Sequence, residues 1–440
     1  MPSAVLWIQL CSGEAVCEGI PGFTLAHSVA QVHFHRADGV RERPMQKARR
    51  PLRWFPGIFA LILIAGTLIS GCNSEGESPR ADSLSNAELL PRGTPTADAG
   101  AEAIRIVSSA VHAEFPTSLT FAAEAESAHP ITKVELRYRI KKVTTASVTA
   151  TVMPAFTPAE RVSATWVWDT RKESLPPGAE IEYQWKIADQ GGGVLETPWE
   201  RFIFEDGRHP WQEIQEGGIR LFWYEGDRSF AEALMRAVQK ALEKLEREAG
   251  ATLQSDARIY IYASTAELHD ALIFPQEWTG GLTFADYGII VIGISPSLQS
   301  WGERIMAHEM THLVIHQLIY GPLAVLPAWL DEGLAMNAEG DLRPDLAAML
   351  ADALASDSLF SLRSLSGAFP ADYDAAGLAY AQSFSVVKYL LDTYGREKMQ
   401  SLIYAFKGGA TADEALTRVY GFDVEGLEKE WLSSISKARS

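Results

Sequence analysis

The sequence predicts a multidomain chain: an all-β sandwich followed by an α+β domain whose C-terminal part is helical. Three observations carry this. Apolar residues alternate with period two between about residues 103 and 206. From residue 207 strand-like runs give way to long stretches of helical periodicity. A segment poor in aromatics, residues 73–102, precedes both. The length of 440 residues, with 47% hydrophobic and 22% charged, is enough for two or three domains with substantial cores. A formal net charge of −17 disfavours a phosphate-binding surface, so nucleic acid is not an expected partner. The 34 glycines and 22 prolines, at a mean hydropathy of −0.04, exclude a multi-span membrane protein and a long disordered chain. Only Cys11, Cys17 and Cys72 occur, which rules out a disulfide scaffold and any cysteine-ligated zinc in the body of the chain.

The order of segments starts with an export signal. Residues 54–71, WFPGIFALILIAGTLISG, are a long uncharged apolar run preceded by Lys47, Arg49, Arg50 and Arg53. It ends in Leu68-Ile69-Ser70-Gly71-Cys72, which resembles a bacterial lipobox; that resemblance implies cleavage before Cys72 and acylation of its sulfur. An uncleaved signal anchor is the alternative, since about 18 residues can just span a bilayer. Met45 is the natural first residue of a signal covering 45–72, so residues 1–44 read as an over-extended start. Residues 73–102 are rich in Ser, Glu, Pro, Ala and Gly and read as a flexible linker.

In the β unit, assigned to 103–206, Val134, Leu136, Tyr138 and Ile140 share one face of a strand over 131–141. Ile181, Tyr183, Trp185 and Ile187 do the same over 180–187, with shorter versions at 163–168 and 200–204. Pro176-Pro177-Gly178 and Gly191-Gly192-Gly193 mark turns. About seven strands in roughly 100 residues resemble an immunoglobulin or fibronectin type III (Ig/FnIII-like) sandwich in architecture only. A spacer and a ligand-binding unit are both open roles.

The second unit, 207–440, opens with a strand at 219–224, a helix at 228–249 stopped by Gly250, and strands at 258–262 and 288–294. Residues 305–320, IMAHEMTHLVIHQLIY, then form a helix that is apolar nearly all round and therefore buried. Inside it lies His308-Glu309-Met310-Thr311-His312. Residues four apart stack one turn above each other, so both imidazoles can grip one cation while Glu309, one position round, can hold a water. Two imidazoles and a carboxylate buried there would cost several kcal/mol, ~2–7 for each unpaired polar group, unless ligated. After nineteen intervening residues comes Glu332, in Trp329-Leu330-Asp331-Glu332-Gly333-Leu334-Ala335. Helices follow from Arg343, one of them ending at Gly395, with others at 412–419 and 424–435; Tyr389, Tyr394, Trp431 and Leu432 read as core.

On HEMTH and WLDEGLA the chain resembles the gluzincins, the thermolysin-like, peptidase MA-like zinc metallopeptidases. The resemblance implies a zincin-like domain over roughly 210–440, one Zn2+ ion held by His308, His312 and Glu332, and Glu309 as catalytic base. It implies hydrolysis of peptide bonds; the segment Gly280–Asp286 departs from the aminopeptidases of the superfamily in lacking their amino-terminus-capturing glutamate, so an endopeptidase is expected rather than an aminopeptidase. Gly281, Leu282, Thr283 and Phe284 are instead expected to form a sheet edge on which an extended substrate pairs. The metzincins are excluded, because Ile315 and Leu318 stand where their glycine and histidine belong. His316 reads as a hydrogen-bonded support or core residue. For the oxyanion, Tyr380 is favoured over Tyr320 and Tyr373, since its segment resembles the cleft-closing helix of membrane-associated relatives. One departure stands out: the carboxylate that orients a zinc histidine is replaced by Met336, leaving Asn337 or Glu339 to substitute. The expectation is a peptide- or protein-cleaving enzyme of the cell envelope, held to a membrane by lipid; a catalytically inactive binding protein on the same fold is the alternative.

Overall fold

The computed structural model describes residues 5–8 and 103–439, apart from 173–174, 274–278 and 322. The signal with Cys72 and the linker over 73–102 therefore lie outside the described residues. Among the described residues no helix is long and apolar enough to cross a membrane.

After an N-terminal strand β1 (Val5–Ile8), the β unit comprises β2 (Arg105–Glu114), β3 (Ser118–Ile140), β4 (Ala150–Val152), β5 (Ala159–Asp169), β6 (Ala179–Asp189), β7 (Val194–Glu196) and β8 (Glu200–Phe204). The long β3 serves two sets of partners. Its first half pairs with β2 and β5, its second with β4 and β6, and β6 continues into β7 and β8. The register breaks between Glu126 and Ile131, where the change of partners falls. Leu119, Phe121, Ala123 and Ala125 alternate inward along the first half, as Ile181, Tyr183, Trp185 and Ile187 do on β6. The alternation is less clean than the sequence predicts: Tyr138 and Ile140 are only partly buried, whereas Glu135 and Gln184 on the polar faces are covered. Lys133 pairs with Glu135 at 2.6 Å and the Gln184 amide donates to the Thr197 carbonyl, which makes their burial tolerable.

The second unit is built on a six-stranded sheet of β1, β9 (Gln212–Glu216), β10 (Ile219–Trp223), β11 (Ala257–Tyr262), β12 (Thr279–Phe284) and β13 (Ile289–Gly293), in the order β1-β12-β13-β11-β10-β9. Strands β10, β11 and β13 are parallel, while β9, β12 and β1 add antiparallel at the two sides. Helix α1 (Arg228–Ala249) connects β10 to β11, capped by Asp227, whose carboxylate accepts from the Phe230 N–H, and stopped by Gly250 at φ 63°. Short α2 (Thr265–Ala271) leads to β12.

Both faces of this sheet are buried, which explains the uniformly apolar run at β13. Leu221, Ile259, Ile261, Ile290 and Ile292 face the helices. Phe222, Tyr260, Tyr262, Leu282, Phe284 and Val291 face the other way and form one continuous core with Leu119, Phe121, Leu136 and Trp185 of the β unit. The two units thus share a hydrophobic core.

The remaining helices are α3 (Gln299–Ile319), α4 (Ala328–Glu339), α5 (Pro344–Ser356), α6 (Tyr373–Lys407), α7 (Ala412–Tyr420) and α8 (Val424–Arg439). Helix α3 begins six residues before the apolar run that announces it. Gly395 leaves helical geometry at φ 75°, as its glycine predicts, but the chain resumes the helix at once, so α6 is two helical stretches meeting at a kink. The Trp431 indole donates to Ser385 Oγ at 3.0 Å and fastens α8 to α6.

Candidate metal centre

Helix α3 is buried on almost every side, and His308, Glu309 and His312 are fully enclosed. Helix α4 lies against it. Gly333 allows α4 to sit close to α6, since a Cβ there would be 2.5 Å from the Ser383 carbonyl oxygen. That seating delivers Glu332, also buried, to the histidines. Its Oε2 lies 3.4 Å from Nε2 of His308 and 3.5 Å from Nε2 of His312.

These separations are longer than good hydrogen bonds. A tetrahedral ion with bonds of about 2.0–2.1 Å holds its ligand atoms about 3.3–3.4 Å apart, which is the spacing found. His312 Nε2 and Glu332 Oε2 are buried without a hydrogen-bond partner among the described residues, another sign that the donor set suits a cation. His308, His312 and Glu332 form a group able to hold a metal ion.

The outer ring nitrogens are fixed by carboxylates. His308 Nδ1 meets Glu339 Oε1 at 2.8 Å, and Glu339 is itself braced by Arg304 at 3.0 Å. Of the two substitutes for the residue missing at Met336, Glu339 therefore takes the part. Asn337 is occupied elsewhere: its amide donates to the Gly333 and Phe384 carbonyls and ties α4 to α6. His312 Nδ1 meets Asp331 Oδ1 at 3.1 Å, and Asp331 Oδ2 meets His316 Nε2 at 2.9 Å. His312, His316 and Asp331 are also close enough to hold an ion, but the hydrogen-bond lengths within the trio make it a chain that orients His312.

Asp331 was not among the residues singled out from sequence. The signal for it was present: an acid adjacent to Glu332, and histidines at positions 312 and 316, one turn apart. Thr283 was singled out only as part of a substrate edge, yet its hydroxyl lies 2.6 Å from Glu309 Oε2. No local sequence signal marks that contact, since 26 residues separate the partners.

The electrostatics follow from burial opposed by close charges. Desolvation pulls His312 down, but Asp331 and Glu332 outweigh it and hold the imidazole well above its ordinary value. His308 is likewise raised against desolvation by Glu332 and Glu339. Burial pushes the Glu309 carboxyl up, with the two imidazoles and the Thr283 hydroxyl pulling the other way.

The edge expected at Gly281–Phe284 needs correction. Strand β12 is second in the sheet, because β1 pairs antiparallel with it, Val5 opposite Thr283 and Leu6 opposite Leu282. Leu282 and Phe284 point into the shared core. Gly281 and Thr283 face Glu309: a Cβ on Gly281 would come within 2.9 Å of Glu309 Oε1. Tyr380 is buried in an apolar cluster with Met336, Leu346, Leu350 and Phe384, its ring edge-on to Phe369 at 5.2 Å. Its ring is thus packed among apolar side chains. Tyr320 and Tyr373 are exposed.

Residues 237–437 match the family model of the Peptidase MA superfamily, so this part of the chain carries a peptidase MA-like domain. No curated protein matches the chain. Among solved structures, OgpA from Akkermansia muciniphila is 9% identical over 24% of this chain and 28% of its own, with a TM-score of 0.19. Its catalytically inactive form in complex with an O-glycopeptide substrate is 12% identical over 24% and 30%, also at 0.19. The sporulation control protein Spo0M from Bacillus subtilis is 8% identical over 31% and 55%, at 0.17. The chain thus spans less than a third of OgpA, and likenesses this slight carry no argument about fold or function.

Proposed function

We propose that the peptidase MA-like domain is a zinc-dependent peptidase that hydrolyses internal bonds of extended peptides, with Glu309 as general base. The observation that carries this reading is the convergence of His308 Nε2, His312 Nε2 and Glu332 Oε2 at the spacing of a tetrahedral ion. A zinc ion held there would lower the pKa of a bound water towards neutrality and polarise the scissile carbonyl.

The chain's own residues do the rest. Glu339 and Asp331 fix which ring nitrogen of each histidine faces inward. Glu309 Oε1 has no hydrogen-bond partner among the described residues, so it is the oxygen open to receive the water's proton and return it to the leaving amine. A substrate pairing with β12 would take the antiparallel place that β1 has.

In the same reading the protein is exported and its Cys72 lipidated, at the extracytoplasmic face of a membrane. Cleavage before Cys72 would remove β1 together with the signal and clear the edge of β12. The β unit, which we read as Ig/FnIII-like, would brace the sheet and hold the catalytic unit off the membrane.

Metal analysis combined with hydrolysis of a quenched peptide library tests the peptidase. The expected result is one zinc per chain and turnover that falls at least about 100-fold in Glu309→Gln, with zinc retained. Bound zinc without turnover of any library would leave a binding protein on a peptidase fold. Metabolic labelling with a clickable fatty acid, lost in Cys72→Ala, tests the anchor; an unlabelled wild-type protein overturns it.

A further inference from the structure

Strand β12 reaches the centre from one side only, and the sequence prepares it for that approach. Gly281 and Thr283 occupy the same face because side chains repeat every second residue along a strand. At 281 the absence of a Cβ leaves room for the Glu309 side chain. At 283 the hydroxyl replaces that emptiness with a directed contact, 2.6 Å from Glu309 Oε2 and 3.1 Å from the Glu309 backbone oxygen. Both partners are buried. Among the described residues this is the hydrogen bond that holds the Glu309 carboxylate about its last bond.

The strand that carries Thr283 is itself held firmly. Leu282 and Phe284 are sunk in the core shared with the β unit. Just beyond the strand, Asp286 is gripped by the loop that follows β3. Lys142 Nζ and Thr144 Oγ1 reach its carboxylate at 3.0 and 3.1 Å, and the Val143 N–H donates to its carbonyl at 2.7 Å. The position of Thr283 is therefore fixed by contacts away from the metal centre.

We propose that Thr283 is a positioning residue for the general base: its hydroxyl, delivered by β12, anchors Glu309 Oε2 and so leaves Oε1 turned towards the reacting water. This rests on the peptidase reading above and adds to it a residue whose side chain acts through Glu309 and not on the metal. A hydrogen bond to a buried carboxylate is worth enough to hold one rotamer, and in a base held at the wrong angle each turnover must first recover the right one.

The test compares wild type, Thr283→Val and Thr283→Ser for zinc content, kcat and KM on a peptide cleaved by the wild type. The Val variant keeps the size of the side chain and should retain zinc and KM within about twofold while kcat falls about tenfold to a hundredfold. The Ser variant, which restores the hydroxyl, should recover kcat to within about threefold of wild type. A crystal structure of metal-stripped Thr283→Val should show the Glu309 carboxylate rotated from its wild-type angle. Unchanged kcat in the Val variant, a Ser variant as impaired as Val, or an unmoved carboxylate would each overturn the role of Thr283 and leave the peptidase intact. Failure of the wild type to cleave any peptide would overturn the peptidase reading and this role together.

Discussion

Glu339 and Asp331 each hold one imidazole by its outer nitrogen, so the centre depends on two acids that touch no ligand atom of the proposed ion directly. Replacing either by its amide, Glu339→Gln or Asp331→Asn, should weaken zinc binding by about 10- to 100-fold in a competition titration. Affinity equal to wild type in both variants would show that the ligands are pre-set by packing alone. The pH dependence has a defined sign. In metal-stripped protein His312 is raised by Asp331 and Glu332 against the opposing effect of burial. A raised imidazole stabilises the fold fully below the unfolded-state value of about 6.5 and loses that contribution as pH rises through the folded one. The melting temperature of the stripped protein should therefore fall as pH is raised above about 6.5, while zinc affinity, which requires neutral imidazoles, rises over the same range. Calorimetry with a chelator present, beside zinc titrations at several pH values, checks both; a flat zinc affinity would contradict the assignment. At this scale the two histidines and Glu309 were legible because helical spacing alone puts them together. Glu339 was one of two open choices, and only the path of α4 decided between it and Asn337.

Among the elements, α4 is the one whose placement makes or breaks the centre. Its glycine at 333 packs against the α6 backbone with no space for a methyl group, and Val387 Cγ2 lies as close as the Ser383 carbonyl. Gly333→Ala should cost about 1–3 kcal/mol by overpacking. Because the strain falls next to Glu332, zinc affinity should drop with it. Chemical denaturation and metal titration measure the two effects, and an unchanged stability would mean that α6 can yield. Helix α1 was readable from its periodicity and the Gly250 that stops it, and the structure adds the cap at Asp227. The start of α3 was not, since its first turn, Gln299 to Gly302, lacks the apolar pattern that marks the rest. Strand β12 carried no mark of its contact with Glu309, because glycine and threonine there look like any strand residues until the helix is laid beside them.

For the molecule as a whole, the shared core is what separates this chain from two beads on a string. One face of the six-stranded sheet, with Phe222, Tyr260, Tyr262 and Val291, is covered by the β unit. A fragment spanning 207–440 would expose that aromatic face to water, an apolar patch of the kind soluble monomers avoid. It should aggregate or melt at least several degrees below a fragment spanning 103–440, as judged by light scattering and calorimetry. A soluble fragment 207–440 as stable as the longer one would return the β unit to the status of a spacer. The alternation of strand residues foretold that the β unit has a buried face, but it could not say that the other unit supplies part of the cover.

The sequence by itself determined the two kinds of texture, the position of α1 and the pattern of two histidines and a glutamate on one buried turn. These rest on periodicity and short-range spacing, which the local backbone fixes before any tertiary contact forms. Only the tertiary structure decided that Glu332 reaches the histidines, that Glu339 and Asp331 hold their rings, and that Thr283 meets Glu309. Those contacts join residues 19 or more positions apart, and their geometry is set by how helices and sheet pack, a property of the whole core that no single stretch of sequence contains.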